Sequence, residues 1–361
     1  MVRIAVVGLG KMGISHLSVV RAHPDVELVA VCDTAGFLLD GLKKYTGLQT
    51  YTDFSKMLAE VALDGVVLAT PSASHVDMVR ACLEKGVAVF CEKPFTLSPQ
   101  ESEELATLAK AKGLQNQVGY HYRFVGTFQE AKRLLDSGAI GTVSHVLAEA
   151  YGPVVLKPKG TTWRTQRKAG GGCLYDYAAH PINLLNWYFG DPEAVGGTRL
   201  NKIFSADTDD EVYSTLYFPG DLTAQLSVNW SDESHRKMTT RMTFWGTKGR
   251  IFADRQEIQV YLREPSDAVP EYKAGWTVKY ITELTDNVWF YLRGEEYSAQ
   301  IDHFVRSVAA KSECSNSFES AASTDRVIGM LLADDATGPR SSAVAAAAPK
   351  EAKRRFFFGR N

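Results

Sequence analysis

Lys93, Asp176 and His180 are the side chains whose types and settings suit proton and charge transfer. Lys93 follows an apolar run at residues 87–91 that reads as a strand, and Pro94 after it has no N–H to extend a ladder. The carboxyl edge of a strand is where open α/β sheets bind ligands, and a lysine there can donate to a substrate oxygen. A solvated lysine at a strand end has the same local sequence. Asp176 and His180 are four residues apart, so on a helix they share a face. A histidine titrates near neutral pH and can take a proton from an alcohol, while a neighbouring carboxylate can orient it or bind a second hydroxyl. An ordinary polar pair or a core histidine fits this spacing as well. Pro181 disfavours helical geometry at His180, so the helix is expected to kink there or start late.

The elements that must position these residues begin at the N-terminus. Residues 3–7 form an apolar, β-branched run that reads as a buried parallel strand. Gly8-Leu9-Gly10-Lys11-Met12-Gly13 follows directly, and a helical segment comes next. The first glycine suits the tight turn, the second lets backbone approach a pyrophosphate, and the third lets helix and strand pack closely. The helix N-terminus presents free N–H groups to phosphate. A second strand, residues 26–32, ends at Asp33, twenty residues after Gly13, where a carboxylate can bond an adenosine ribose. This context predicts dinucleotide binding. Asp33 repels a 2′-phosphate and Thr34-Ala35-Gly36 offers no arginine to neutralise one, which favours NAD over NADP; Lys43 and Lys44 lie close enough in sequence to keep NADP open.

Further strands at residues 65–70, 87–91 and 117–120 alternate with helices at 75–84 and 99–112, the latter opened by Ser98, Pro99 and Glu101 as a capping box. This pattern predicts a doubly wound parallel Rossmann sheet over residues 1–124. From 125 to 336 strands dominate: 143–151, hairpins at 211–217 with 222–230 and 241–245 with 250–253, and 259–262, with helices at 126–138, 295–310 and 318–333. An α+β domain with an open, mostly antiparallel sheet is expected. Tyr213, Tyr217, Trp230 and Phe244 are available for either its core or a subunit contact.

The 361 residues are 45% hydrophobic and 23% charged with a formal net charge of -2, a balance that speaks against nucleic-acid binding. No apolar stretch is long enough for a transmembrane segment. The chain opens directly on a strand, so no secretory leader is expected. Cys32, Cys82, Cys91, Cys173 and Cys314 form no CxxC pair, which suggests a reducing cytoplasm and no metal site. Residues 337–361 end in Lys353-Arg354-Arg355-Phe356-Phe357-Phe358 and read as a disordered basic tail, or as a peptide that docks on an anionic membrane or a partner.

Taken together, Gly8-x-Gly10-x-x-Gly13, Thr70-Pro71 with His75, Glu92-Lys93-Pro94, Gly119-Tyr120-x-x-Arg123-Phe124, Trp163-Arg164 and Gly170-Gly171-Gly172 leading to Asp176-x-x-x-His180 resemble the glucose–fructose oxidoreductase/inositol dehydrogenase/rhizopine catabolism (Gfo/Idh/MocA) family over about residues 1–335. The resemblance implies hydride exchange between a nicotinamide and a secondary alcohol or ketone of a sugar, cyclitol or nucleotide sugar. It also implies a catalytic set of Lys93, Asp176 and His180. Gly8, Gly10, Lys11, Met12, Gly13, Asp33, Thr70, Pro71, His75, Glu92, Lys93, Trp163 and Arg164 would hold the cofactor. Tyr120, His121, Arg123 and Asn183 would join the catalytic set in facing the substrate; many relatives carry aspartate where Asn183 stands, and an amide there carries no charge. Two alternatives accompany this family: a redox-neutral glycosidase that uses NAD transiently, and a ligand-sensing regulator without catalysis, against which the intact lysine, aspartate and histidine argue. Arg164, Arg167 and Lys168 could serve a diphosphate, and the loop 152–162 could cover the cleft.

Overall fold

The computed structural model describes residues 1–157 and 162–338. The expected basic tail lies almost wholly outside the described residues, as does the middle of the expected cleft-covering loop.

The first sheet is built from β1 (Val2–Val7), α1 (Lys11–Ala22), β2 (Val26–Cys32), α2 (Gly36–Thr46), β3 (Gln49–Tyr51), α3 (Phe54–Glu60), β4 (Gly65–Leu68), α4 (His75–Glu84), β5 (Ala88–Cys91), α5 (Pro99–Lys112) and β6 (Asn116–Val118). Its six strands are parallel in the order β3-β2-β1-β4-β5-β6. The strands are apolar throughout because both faces are covered. Ile4 and Val6 face Leu17 and Val20 of α1, while Ala5 and Val7 face the opposite layer with Met57, Val79, Leu83 and Leu105. Ser98 and Pro99 open α5 as expected, but the Ser98 hydroxyl donates to Gln100 Oε1 at 3.1 Å and caps no backbone N–H.

The chain then forms α6 (Gly126–Asp136), β7 (Val143–Tyr151), α7 (Ala179–Phe189), β8 (Ala194–Asn201), β9 (Glu211–Tyr217), β10 (Thr223–Asn229), β11 (Thr239–Gly246), β12 (Gly249–Ala253), β13 (Glu257–Leu262), β14 (Gly275–Tyr280), α8 (Ile281–Leu284), α9 (Glu295–Ala310) and α10 (Phe318–Ala336). Eight strands in the order β14-β13-β12-β11-β7-β10-β9-β8 make a mixed sheet, antiparallel except for the β7–β10 pair. Its inner face, with Val146, Ala148, Leu226, Met242 and Phe244, packs on Phe128 of α6 and on Ile182, Leu185 and Tyr188 of α7.

Three features differ from the sequence expectation. Phe244 and Trp230 are fully buried: Phe244 lies on the same face as Met242, and the Trp230 indole donates to Asp210 Oδ1 at 2.7 Å. Of the four aromatics considered for a subunit contact, only Tyr213 and Tyr217 lie on the outer face. Trp245, Tyr261, Trp276, Val278 and Tyr280 join them at alternate strand positions. Finally, α9 packs against the first sheet: Ile301, Phe304 and Val305 share a cluster with Val2, Ile4 and Leu17. A boundary at residue 124 therefore separates α9 from the sheet it covers.

At the β1–α1 turn Gly8 has φ +88, and a Cβ on Gly13 would lie 1.7 Å from the Gly8 carbonyl oxygen, whereas one on Gly10 would meet nothing within 4 Å. Gly13→Ala should therefore lose about 2 kcal/mol or more through forced overpacking. Gly10→Ala should stay within about 0.5 kcal/mol. Denaturant unfolding of the two variants checks the difference.

Candidate active site

β5 delivers Glu92 and Lys93 at its carboxyl end, one strand from the β1–β4 switch point whose carboxyl edge opens the crevice of such sheets. Glu92 is buried. Its Oε1 lies 2.6 Å from His16 Nε2 on α1, and its Oε2 accepts from the Lys93 N–H at 3.1 Å. Gly119 leaves the space for it, since a Cβ there would sit 3.0 Å from the carboxylate. Burial alone would raise the Glu92 carboxyl, but the His16 hydrogen bond and charge, with Lys93, hold it below the ordinary carboxylate value. Glu92 thus links the glycine-loop helix to the lysine. His16 was not among the expected site residues; the available signal was a polar ring on a helix face that otherwise buries Leu17 and Val20.

The Lys93–Pro94 peptide is cis. The segment after it is held from two sides. His75, fully buried, places Nδ1 3.0 Å from the Pro94 carbonyl and 3.1 Å from that of Phe95, and Nε2 3.1 Å from the Thr70 carbonyl. Both its nitrogens face backbone, so His75 braces the Thr70-Pro71 turn against the lysine loop and has no atom left for a cofactor. From the other side, Phe95 stacks on Phe318 at 4.3 Å, and Asp325 of α10 accepts from the Thr96 N–H at 3.2 Å. Burial pushes the Asp325 carboxyl up to about 8.

Lys93 Nζ donates to Asp176 Oδ1 at 2.7 Å and to the Asp176 carbonyl at 2.8 Å. Arg164 Nε donates to the other carboxylate oxygen at 3.3 Å. Burial raises the Asp176 carboxyl, yet Lys93 and then Arg164 outweigh it and keep it low, so it stays ionised. Residues Leu174–Ala178 form a π-helical turn before α7, with the Ala179 N–H bonded to the Leu174 carbonyl. Pro181 supplies no N–H to the Tyr177 carbonyl, consistent with a wider turn here. Asp176 therefore pairs with Lys93 and makes no hydrogen bond to His180, a correction to a shared helix face on which it orients the imidazole.

His180 is buried among rings: His121 at 5.0 Å, Tyr122 at 4.9 Å and Tyr120 at 6.0 Å, all edge-on. Burial, then Lys93, His121 and Arg255, push its pKa well below its ordinary 6.5, so it is neutral at physiological pH. Nδ1 is sealed without a partner, while Nε2 makes no bond among the described residues and is not among the sealed atoms. The neutral ring thus has one nitrogen, Nε2, that is neither sealed nor bonded among the described residues. Burial and neighbouring cations lower His121 in the same way. The Tyr120 hydroxyl is also buried without a partner.

Arg123 and Asn183 lie elsewhere than expected. Arg123 Nε donates to Asn183 Oδ1 at 2.8 Å, and its other nitrogens reach the Ser315 carbonyl and Ser320 Oγ. Asn183 Nδ2 donates to Thr324 Oγ1 at 3.0 Å. Both are buried and committed to tying α7 to α10 and the segment before it, so neither offers a free polar group to a substrate. Trp163 is exposed with the Arg164 guanidinium over its ring at 4.4 Å; Arg164, not the tryptophan, reaches the charged cluster. Arg167 lies 3.8 Å from Asp209.

The glycine turn fits a dinucleotide. The space beside Gly10 is open, and α1 begins at Lys11 with first-turn N–H groups of Lys11, Met12 and Gly13 that no helical carbonyl satisfies. Asp33 closes β2 and braces this turn, accepting from the Leu9 N–H and, at 2.7 Å, from that of Ala35. Among the described residues no cluster of His, Cys, Asp or Glu could hold a metal ion.

Comparison with known proteins agrees with this geometry. A family model described as an oxidoreductase family with an NAD-binding Rossmann fold matches residues 2–120, and a GFO/IDH/MocA C-terminal domain model matches 128–252. The NAD(+)-dependent scyllo-inositol 2-dehydrogenase of Bacillus subtilis (strain 168) is 28% identical over 293 residues, 78% of this chain and 84% of that protein. Inositol 2-dehydrogenase of Rhizobium meliloti (strain 1021) is 25% identical over 335 residues, 87% of this chain and 99% of its own. A levoglucosan dehydrogenase in complex with NADH and L-sorbose shares the fold with a TM-score of 0.84 at 21% identity, covering 93% of this chain and 97% of its own. With the first sheet and most of the second matched, the chain belongs to the Gfo/Idh/MocA family of NAD-binding oxidoreductases.

Proposed function

We propose that this chain is an NAD-dependent dehydrogenase that interconverts a secondary alcohol and a ketone on a sugar, cyclitol or nucleotide sugar. The observation that carries the proposal is the half-buried ammonium of Lys93, 2.7 Å from Asp176, beside a neutral His180 at the carboxyl edge of the NAD-binding sheet. The inositol and levoglucosan dehydrogenases among its relatives support a polyol substrate. A putative UDP-kanosamine synthase oxidoreductase subunit from Amycolatopsis mediterranei, 35% identical over 58% of this chain and 56% of its own, keeps nucleotide sugars in that class.

Gly8, Gly10, Gly13 and the first turn of α1 would hold the pyrophosphate, Asp33 the adenosine ribose, and Glu92 the nicotinamide side. Bound NAD supplies the hydride acceptor, and the protein supplies position and charge. The free His180 nitrogen takes the hydroxyl proton of the substrate. Lys93 donates to the same oxygen and stabilises the charge that develops on it. Asp176 aims that ammonium, and Arg164 shares the carboxylate so that it stays ionised. Asp33 without a nearby arginine favours NAD over NADP. The five cysteines are free and buried, which supports a reducing, cytoplasmic setting. Among the described residues no helix is long and apolar enough to cross a membrane.

The outer face of the second sheet supports self-association: Tyr217, Trp276 and Tyr280 are 46%, 58% and 56% exposed on one side of it. A homodimer or homotetramer through this face should dissociate in Trp276→Glu, as light scattering coupled to gel filtration would read. A monomeric parent chain would contradict the interface.

Lys93→Met should lower kcat for NADH formation by about a thousandfold or more while leaving the NAD Kd within about threefold. A panel of free sugars, inositols and UDP-sugars read at the NADH absorbance provides the substrate. The His180 pKa also gives a pH expectation with a definite sign. A base must be unprotonated, and its lowered pKa keeps it so, so kcat/KM for alcohol oxidation should stay level as pH falls through 6.5 and decline only well below it. A half-maximal point at 6.5 or above would remove His180 from the role of base.

A further inference from the structure

Two arginines that the dehydrogenase mechanism does not use stand near His180, Arg255 one ring beyond it and Arg293 two. Arg255, in the β12–β13 turn, has its guanidinium 5.9 Å from the Tyr122 ring centroid, and Tyr122 lies edge-on to His180 at 4.9 Å. Arg293 precedes α9. Its guanidinium lies 5.5 Å from the centroid of Tyr297, which stacks on His121 at 4.7 Å, and His121 in turn meets His180 at 5.0 Å. The two cations thus flank the catalytic histidine along separate aromatic paths.

Their partners are unequal. Glu296 of α9 forms an ion pair with Arg255 and fixes it in place. Arg293 is exposed and makes no ion pair or hydrogen bond among the described residues. It also holds a left-handed backbone at φ +69, a conformation that costs a non-glycine residue about 1 kcal/mol. Such outliers concentrate where a side chain must be aimed. Lys93 and Arg164 share Asp176 and Arg255 is paired with Glu296, whereas Arg293 makes no ion pair among the described residues. Both Arg255 and Arg293 contribute to lowering the His121 pKa, after burial, so their field reaches the substrate side of the pocket.

We infer that Arg293, supported by Arg255, is a specificity-determining residue that reads an anionic group on the substrate, making the preferred substrate a sugar acid or sugar phosphate rather than a neutral polyol. A guanidinium matches carboxylate and phosphate oxygens bidentately, and Arg293, over the Tyr297 face, has N–H groups that no partner among the described residues takes. The inference rests on the dehydrogenase reading for what happens at His180, but recognition of the anion is a binding property that can be measured by itself.

The test is calorimetric titration of the NAD-saturated full chain with D-glucose, D-glucuronate and D-glucose 6-phosphate, which differ at one carbon. At least one anion should bind about tenfold tighter than glucose, the preference shrinking to within about threefold in Arg293→Gln and returning in part in Arg293→Lys. The two anions separate carboxylate from phosphate as the recognised group. Thermal unfolding and NAD affinity should be the same in all three proteins, so a lost preference does not reflect lost folding. Equal or tighter binding of glucose, no binding of either anion, or an undiminished preference in Arg293→Gln would overturn the inference. NADH formation, followed in parallel, separates the two readings. Turnover of neutral polyols alone would retire the anion site and keep the dehydrogenase. An Arg293-dependent anion preference without turnover of any sugar would do the reverse.

Discussion

The contact between Lys93 and Asp176 is the constraint on which this site depends. It joins the end of a strand in the first sheet to a π-helical turn of the second domain, and both side chains are largely buried. Taking two charges out of water is costly, and the pair is tolerable because each remaining polar atom has a partner: Nζ also donates to the Asp176 carbonyl, and Oδ2 accepts from Arg164. Removing one member would leave an uncompensated buried charge, typically a loss of about 3–5 kcal/mol. The pair therefore fixes the position of the lysine against the second sheet's side of the site.

A second buried pair, His16 with Glu92, does the same for the cofactor side. It ties the helix after the glycine turn to the residue before Lys93, and the Lys93 N–H closes the link. His75 and Asp325 hold the loop beyond it from opposite directions. The lysine is thus the meeting point of four restraints that come from α1, α4, the π-turn and α10. A side chain with four rotatable bonds is held in this way close to one position, which is what orientation of a reacting group requires.

Much of this was legible in the sequence, for physical reasons that also mark its limits. The β1–α1–β2 unit could be read because each glycine has a steric job and the strands, covered on both faces, are uninterrupted apolar runs. Lys93, Asp176 and His180 could be singled out by type, but their relation could not. The four-residue spacing implied a regular helix, and the π-turn before Pro181 turned Asp176 to the lysine instead. Arg123 and Asn183 were assigned to the substrate because nothing near them reveals Ser315, Ser320 and Thr324, which arrive from more than a hundred residues away and occupy both. The return of α9 to the first sheet was hidden similarly, since an amphipathic helix does not say which sheet it covers. On the second sheet, Phe244 is an inner-face neighbour of Met242, while Trp245 next to it faces out, so only the register could sort the aromatics.

Asp176→Asn is the measurement that probes this account at its centre. The substitution keeps shape and hydrogen-bonding capacity but removes the charge that holds the Lys93 ammonium. With NAD and a responsive polyol, initial rates of NADH formation should fall by about a hundredfold in kcat while NAD affinity is retained. A variant that turns over at the parental rate would contradict the claim that this ion pair sets the catalytic lysine.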